Sequence, residues 1–92
     1  MQIKWTMDAI SDLIEIRRYI VQDNPRAAND VALRIKRTVQ LLSDQPSMGK
    51  LGRADGTREI VISGLPYIIP YRVKNNLVQI LRVFHGARLW PE

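Results

Sequence analysis

The chain has 92 residues, of which 46% are hydrophobic and 25% charged, which predicts one globular domain over residues 1–92 with a single modest core. No apolar run approaches the ~20 residues needed to cross a bilayer, and the absence of cysteine excludes disulfides and thiolate metal sites and fits the cytoplasm. The net charge is +5, and residues 47–92 hold seven Lys/Arg against three Asp/Glu, so the C-terminal half predicts a basic surface for phosphates or acidic proteins.

The N-terminal residues predict a strand that leads into a helix. Ile3 and Trp5 alternate with polar residues, which favours a strand from about Gln2 to Thr6. Thr6 is a typical helix N-cap. A helix over Met7–Gln22 is then predicted by one apolar stripe at helical spacing, formed by Ala9, Leu13, Ile16 and Ile20. Asp8 and Asp12 are interpreted as surface acids that complement the helix dipole.

A second helix follows after a very short connection. Asn24 is a good N-cap, and Pro25 fits the first helical position. The two helices should therefore be antiparallel neighbours that form a hairpin against a sheet. The apolar stripe of the second helix consists of Ala28, Val31, Ile35, Val39 and Leu42.

The C-terminal half predicts three strands after a long loop over residues 44–56. The strands are expected at Thr57–Ile62, at Tyr67–Val73 and from Leu77 onward. Pro70 lacks a ladder donor and predicts an edge or a bulge, whereas the last strand is apolar enough to be covered on both faces. The fold class is therefore α+β, with the order β-α-α-β-β-β and a mainly antiparallel sheet.

A polar cluster at the end of the last strand is the candidate site. It contains the single histidine, His85, together with basic residues and one carboxylate, namely Arg58, Arg72, Arg82, Arg88 and Glu59. In a phosphoryl-transfer reaction on RNA, His85 and Glu59 could move protons while the arginines stabilise charge. The alternative is structural: His85 binds a backbone group, Arg82 pairs with a carboxylate such as Glu59, and Arg88 is solvated. One histidine with scattered carboxylates gives no metal-ligand pattern, and no cofactor is expected.

The chain resembles the RelE/ParE toxins of bacterial toxin–antitoxin modules, and the resemblance covers nearly its whole length. The residues that carry it are Trp5-Thr6, Ala9, Asp12-Leu13, Ile16, Tyr19-Ile20, Gln45-Pro46, Met48-Gly49, Arg58–Val61, Tyr67–Ile69, Tyr71–Val73, Ile80–Val83, His85 and Arg88. The RelE-like branch cuts mRNA on the ribosome with basic residues and a C-terminal histidine or tyrosine. The ParE-like branch poisons DNA gyrase.

Two positions favour the ParE-like branch. Gly86 stands where several of the nucleases have tyrosine, and Ile68 stands where an arginine serves the scissile phosphate in some of them. Losing one such contact removes about 2–4 kcal/mol of transition-state stabilisation. The resemblance therefore implies a ParE-like toxin without a catalytic residue of its own. The alternatives are a ribosome-dependent mRNA endoribonuclease that uses His85, Arg82, Glu59 and Arg58, and a degenerate, non-toxic binding module.

The resemblance also implies two macromolecular partners. The target, gyrase, is expected to contact the basic surface and the C-terminal tail through Arg58, Arg72, Arg82, His85, Arg88 and Trp90. A cognate acidic antitoxin is expected to fold a disordered segment onto the helical hairpin. The same antitoxin could also add a strand to the sheet edge. Its expected contacts are Leu13, Ile16, Ile20, Val31, Ile35 and Val39.

Overall fold

The computed structural model describes residues 1–87, which form a six-stranded sheet with two helices on one of its faces. The helices are α1 (Met7–Val21) and α2 (Pro25–Gln40), and a 3-10 helix (Leu41–Ser43) follows α2. The strands are β1 (Gln2–Trp5), β2 (Lys50–Leu51), β3 (Arg58–Val61), β4 (Tyr67–Lys74), β5 (Leu77–Ile80) and β6 (Phe84–His85). No helix within residues 1–87 is long and apolar enough to span a bilayer.

Both helices begin at the residues that the sequence predicts. The Thr6 hydroxyl accepts a hydrogen bond from the Ala9 N–H at 3.2 Å, and the Asn24 side chain accepts one from the Ala27 N–H at 3.1 Å. Each bond satisfies one of the backbone donors left unpaired at a helix start. The first helix ends at Val21, one residue earlier than predicted, and Gln22 is its C-cap.

The sheet has the strand order β1-β5-β4-β3-β2, and β6 also pairs with β4. The pairing of β1 with β5 is parallel, and all the others are antiparallel. Asn75 and Asn76 have φ angles of 54° and 61° and form the predicted tight turn between β4 and β5. The prediction of a mainly antiparallel α+β sheet is confirmed. The prediction that the last strand is covered on both faces is wrong, because Leu77 and Gln79 of β5 are only half-buried on the face away from the helices.

The core lies between the helices and one face of the sheet. Its fully buried side chains include Ile35 and Val39 of α2, Leu42 of the 3-10 helix, Ile69 and Tyr71 of β4, and Val78 and Ile80 of β5. The register of the ladders places alternate residues on the other face, which carries no helix within residues 1–87. We call this the open face; on β1, β5 and the part of β4 that pairs with β5 it consists of Gln2, Lys4, Leu77, Gln79, Arg72 and Lys74.

Tyr71 fixes the long loop before β3 to the core. Its hydroxyl donates to the Pro46 carbonyl at 2.8 Å and accepts from the Gly49 N–H at 2.9 Å. A Cβ at Gly49 would lie 2.7 Å from the Tyr71 ring and 2.8 Å from the Glu59 carbonyl. The backbone can therefore come this close only because residue 49 has no side chain.

We predict that Tyr71→Phe lowers the free energy of unfolding by about 1–3 kcal/mol, because it leaves the buried Gly49 N–H without a partner. Urea denaturation followed by circular dichroism measures the change. Tyr19→Phe is the matched control, since Tyr19 is 73% exposed, and it should change stability by less than about 0.5 kcal/mol. Equal effects of the two substitutions would contradict a role for the Tyr71 hydroxyl.

Candidate functional site

The last strand of the sheet is interrupted beside Pro70. Two residues of β4, Ile69 and Pro70, separate the pair Ile68↔Phe84 from the pair Tyr71↔Ile80, whereas three residues separate the same pairs on the opposite strand. One extra residue therefore forms a bulge between β5 and β6. The Pro70 carbonyl accepts from the Leu81 N–H at 2.9 Å on this side, and proline has no N–H to add. The predicted disruption at Pro70 lies here.

Residues from α1 and its N-cap pair with the backbone of this bulge. The Asp12 carboxylate accepts from the Val83 N–H at 2.9 Å, and the Thr6 hydroxyl donates to the Leu81 carbonyl at 3.0 Å. Side chains thus replace the ladder bonds that the bulge removes. The interpretation of Asp12 as a surface acid that complements the helix dipole is wrong, because its carboxylate is mostly buried against the sheet.

Asp12 also binds the guanidinium group of Arg82. The two Asp12 oxygens accept from Nε and Nη2 of Arg82 at 2.7 and 3.1 Å, which is the bidentate geometry of a strong, charge-assisted pair. The side chains of Arg82 and Asp12 are 23% and 14% exposed. A carboxylate therefore already neutralises Arg82. The suggestion that Arg82 pairs with Glu59 is wrong, since its acidic partner is Asp12.

His85 lies at the end of β6 and borders a cavity of about 260 Å³ under α1, which is also lined by Glu15, Ile16, Tyr19 and Tyr67. Its ring meets the Tyr67 ring edge-on, with the centroids 6.2 Å apart and an interplanar angle of 81°. Burial, with a smaller contribution from Tyr19, raises the pKa of the Tyr67 hydroxyl. Tyr67 therefore stays protonated at neutral pH.

A hydrogen bond occupies the acceptor nitrogen of His85. Nδ1 of His85 accepts from the Ala87 N–H at 3.1 Å, so a neutral imidazole must carry its proton on Nε2. Neutral imidazole has one lone pair that can take a proton, and here that lone pair faces a backbone donor. His85 would have to release this bond to act as a general base.

The other two residues of the candidate catalytic set hold the loop before β3. Glu59 is buried, accepts from the Arg53 N–H at 2.9 Å and pairs with Arg53 Nε at 3.6 Å. Arg58 donates to the Gly49 carbonyl at 2.7 Å. Both are therefore engaged in shaping the loop.

The structure does not bring Glu59 and His85 together. Glu59 pairs with Pro70 on one side of β4, and His85 pairs with Tyr67 on the other. Standard strand dimensions then put their Cα atoms about 14 Å apart, with the side chains on opposite faces of the sheet. General acid and general base roles would require both groups around one phosphate.

The remaining predicted target contacts divide into two groups. Arg72 is half-buried and lies on the open face of the sheet. Arg88 and Trp90 lie outside the described residues. Lys4 and Lys74 accompany Arg72 on the open face and were not singled out from the sequence. Lys74 could have been found from the sequence, because it follows two residues after Arg72 and strand residues at that spacing share a face. Lys4 could not, because only the register of β1 on β5 and of β5 on β4 brings it to the same surface.

The predicted antitoxin contacts on the helices are corrected in part. Ile35 and Val39 are fully buried against the sheet, so they cannot form a binding surface on the folded chain. Leu13, Ile16 and Val31 are half-buried and pack at the margin of the core, and Ile20 is also half-buried. The apolar residues that α1 exposes to solvent are different ones, namely Met7, Ile10 and Ile14.

Ile10 and Ile14 border a groove on the hairpin. A cavity of about 370 Å³ is lined by Trp5, Ile10, Leu13, Ile14 and Lys36. Ile10 and Ile14 are four residues apart, so a second apolar stripe was visible in the sequence of α1. The predicted stripe of α1, which contains Ala9, Leu13 and Ile16, is the one that faces the sheet.

Comparison with known proteins identifies the family. The family model of the ParE toxin of type II toxin–antitoxin systems, parDE, matches residues 3–90. The chain belongs to the ParE toxin family. It is therefore a toxin of the type II toxin–antitoxin class, within the RelE/ParE superfamily that the sequence resembles.

Relatives of this ParE-family toxin include two proteins of similar length. Y4kP of Sinorhizobium fredii is 44% identical over 91 residues, which are 99% of this chain and 94% of the relative. Toxin RelE2 of Caulobacter vibrioides is 44% identical over 88 residues, which are 96% of this chain and 98% of the relative.

Two solved toxin–antitoxin systems contain chains with the same fold. A chain of the chromosomal ParDE system from P. aeruginosa matches with a TM-score of 0.85 and 30% identity, covering 92% of this chain and 95% of its own. A chain of the RelBE2 complex from Mycobacterium tuberculosis matches with a TM-score of 0.61 and 27% identity, covering 91% and 95%.

We predict that Asp12→Ala lowers the free energy of unfolding of this ParE-family toxin by about 2–4 kcal/mol, because it removes the acceptor of the Val83 N–H and the carboxylate that pairs with Arg82. Asp8→Ala is the control, since the structure assigns the exposed Asp8 side chain no hydrogen bond within residues 1–87. Its effect should stay below about 1 kcal/mol. Chemical denaturation of both variants measures the difference, and equal losses would show that the Asp12 contacts contribute little.

Proposed function

We propose that this toxin inhibits DNA gyrase in the cytoplasm by binding the enzyme and stabilising its cleaved DNA complex, without catalytic residues of its own. The observation that carries the proposal is the engagement of Arg82 by Asp12. A nuclease needs free cations around the scissile phosphate, whereas this arginine faces a carboxylate at 2.7 Å.

Two further features support a binding role over RNA cleavage. Glu59 is buried with Arg53 and lies on the other face of the sheet from His85. The acceptor nitrogen of His85 is occupied by the Ala87 N–H. The ParDE chain also matches more closely than the RelBE2 chain, with TM-scores of 0.85 and 0.61.

The surface proposed to meet gyrase is smaller than the predicted set. Arg58 and Arg82 are held by intramolecular contacts, so they contribute to the shape of the surface more than to its free charge. Within residues 1–87, Arg72 and His85 are the predicted target contacts that we retain as contact residues. Arg88 and Trp90 complete the proposed set.

We also propose that a cognate antitoxin neutralises the toxin by laying an amphipathic helix into the groove lined by Trp5, Ile10, Leu13, Ile14 and Lys36. Exposed apolar side chains beside a cation fit the apolar face and acidic flank of such a helix. The antitoxins of the ParDE and RelBE2 systems support the existence of this partner. An acidic antitoxin also complements the net charge of +5.

A second contact for the antitoxin is proposed at the outer edge of β3. The strand β2 pairs only with Arg58 and Glu59, so Ile60 and Val61 have no β2 partner on that side, and Val61 is 62% exposed. A cavity of about 320 Å³ lies along this edge. An extended antitoxin segment could continue the sheet there through backbone hydrogen bonds.

We predict that purified toxin at micromolar concentration inhibits supercoiling by gyrase and leaves mRNA intact in cell-free translation. His85→Ala should poison gyrase to a similar extent, within about fivefold, because His85 is one contact among several in a non-catalytic surface. The same preparation is used in both assays, and toxin mixed with equimolar antitoxin is the control. Unimpeded supercoiling, or mRNA cleavage that disappears in His85→Ala, would overturn the proposal.

We predict that Ile14→Glu weakens antitoxin binding by at least about thirtyfold, because it places a carboxylate in the apolar groove that faces an acidic partner. Leu41→Glu is the matched control: Ile14 is 50% exposed and Leu41 52%, but Leu41 does not line the groove. Isothermal titration calorimetry with purified antitoxin measures both. Equal weakening by the two variants would move the antitoxin away from this groove.

A further inference from the structure

We propose that the open face of the sheet binds the phosphate backbone of duplex DNA through Lys4, Arg72 and Lys74. Strand register brings these residues together: Lys4 lies opposite Gln79, and Gln79 lies opposite Arg72. Lys74 follows two residues after Arg72 and therefore points to the same face. Three cations from the two ends of the chain share one surface.

The spacing of the three cations suits a charged polymer. Two strand spacings separate Lys4 from Arg72, about 10 Å, and two residues separate Arg72 from Lys74, about 7 Å. Duplex DNA carries one negative charge per ~1.7 Å of its axis, so a surface of this size spans several phosphates. The side-chain amide of Gln79 lies between Lys4 and Arg72, and that of Gln2 lies at the margin of the cluster on β1; both add hydrogen-bond donors.

The charges of this cluster are not compensated within the protein. None of the three side chains has a hydrogen bond or an ion pair within residues 1–87, in contrast to Arg18, Arg53 and Arg82, each of which pairs with a carboxylate. The open-face positions of β1, β5 and β4 contain no Asp or Glu. The positive potential of the cluster is therefore available to a ligand.

The composition of the face favours duplex DNA over the other polyanions. Proteins that hold single strands stack bases on aromatic side chains, and Gln2, Lys4, Leu77, Gln79, Arg72 and Lys74 include no aromatic residue. An acidic peptide helix would need apolar anchors, and Leu77, which is half-buried, is the single apolar residue of this set. The helices within residues 1–87 pack on the core side of the sheet, so contacts from the open face would be to phosphates and independent of sequence.

This inference goes beyond gyrase binding, and it is tested without gyrase. The toxin alone is titrated into a fluorescent 20-base-pair duplex at several salt concentrations, and anisotropy gives the affinity. The test variant is Lys4→Gln, Arg72→Gln, Lys74→Gln. The control is Arg26→Gln, Arg34→Gln, Arg37→Gln, which removes the same charge from exposed positions of α2 outside the antitoxin groove. Circular dichroism and thermal unfolding check that both variants are folded.

We expect the affinity for the duplex to rise as the salt concentration falls, and to be independent of the duplex sequence. Three phosphate contacts contribute about −2.7 to the slope of log K against log salt, so the test variant should lose a slope of about that size and at least about tenfold in affinity at low salt. The control should bind within about threefold of the unmodified toxin. A variant that keeps the charge, Lys4→Arg, Lys74→Arg, should bind the duplex as tightly as the unmodified toxin.

Three results would overturn the inference. The test variant could bind the duplex as well as the unmodified toxin, or the α2 control could lose as much affinity as the test variant. Preference for single-stranded RNA over the duplex would assign the face to another ligand. Supercoiling assays on the same preparations separate this inference from the proposed target. A toxin that inhibits gyrase but does not bind the duplex by itself would contradict only the DNA contact.

Discussion

The arrangement of the C-terminal strands depends on the hydrogen bonds that the Asp12 carboxylate accepts from residues 82 and 83. This carboxylate accepts hydrogen bonds from the Val83 backbone and from the Arg82 guanidinium, and so it joins the first helix to the bulge between β5 and β6. Without that acceptor, a bulge beside a proline would leave a backbone donor unpaired in a partly buried position. The same contact sets the direction in which the chain continues toward Phe84 and His85.

This interaction also links the fold to the proposed activity. A single carboxylate cannot both neutralise Arg82 and leave its charge available to a scissile phosphate. In this chain the arginine at this strand end is paired internally. The binding surfaces proposed above lie elsewhere: on the helical hairpin, at the outer edge of β3 and on the open face of the sheet.

Much of the fold could be predicted from local signals. Thr6, Asn24 and Pro25 mark the helix starts, the paired asparagines mark the last turn, and the apolar stripes identify the core side of each helix. The contacts that define the site could not be predicted. Asp12 meets Arg82 across 70 positions, and Lys4 comes beside Arg72 only through a parallel strand pair. Such pairings depend on register and topology, which local periodicity does not encode.

Amphipathic patterns also misled on α1, which carries two apolar stripes. The stripe with Leu13 and Ile16 packs against the core, whereas the stripe with Ile10 and Ile14 stays exposed. Burial decides which apolar residues are available, and a sequence pattern alone does not rank them.

The position of β5 in the sheet has a consequence for how the molecule is made. The first strand pairs with β5 alone, so residues 2–5 have no hydrogen-bonding neighbour in the sheet until residues 77–80 have been synthesised. The helical hairpin can form early from local contacts, but the layer beneath it closes last. During translation, the nascent toxin therefore presents an unclosed apolar surface, and the sheet is completed only after residues 77–80 have left the ribosome.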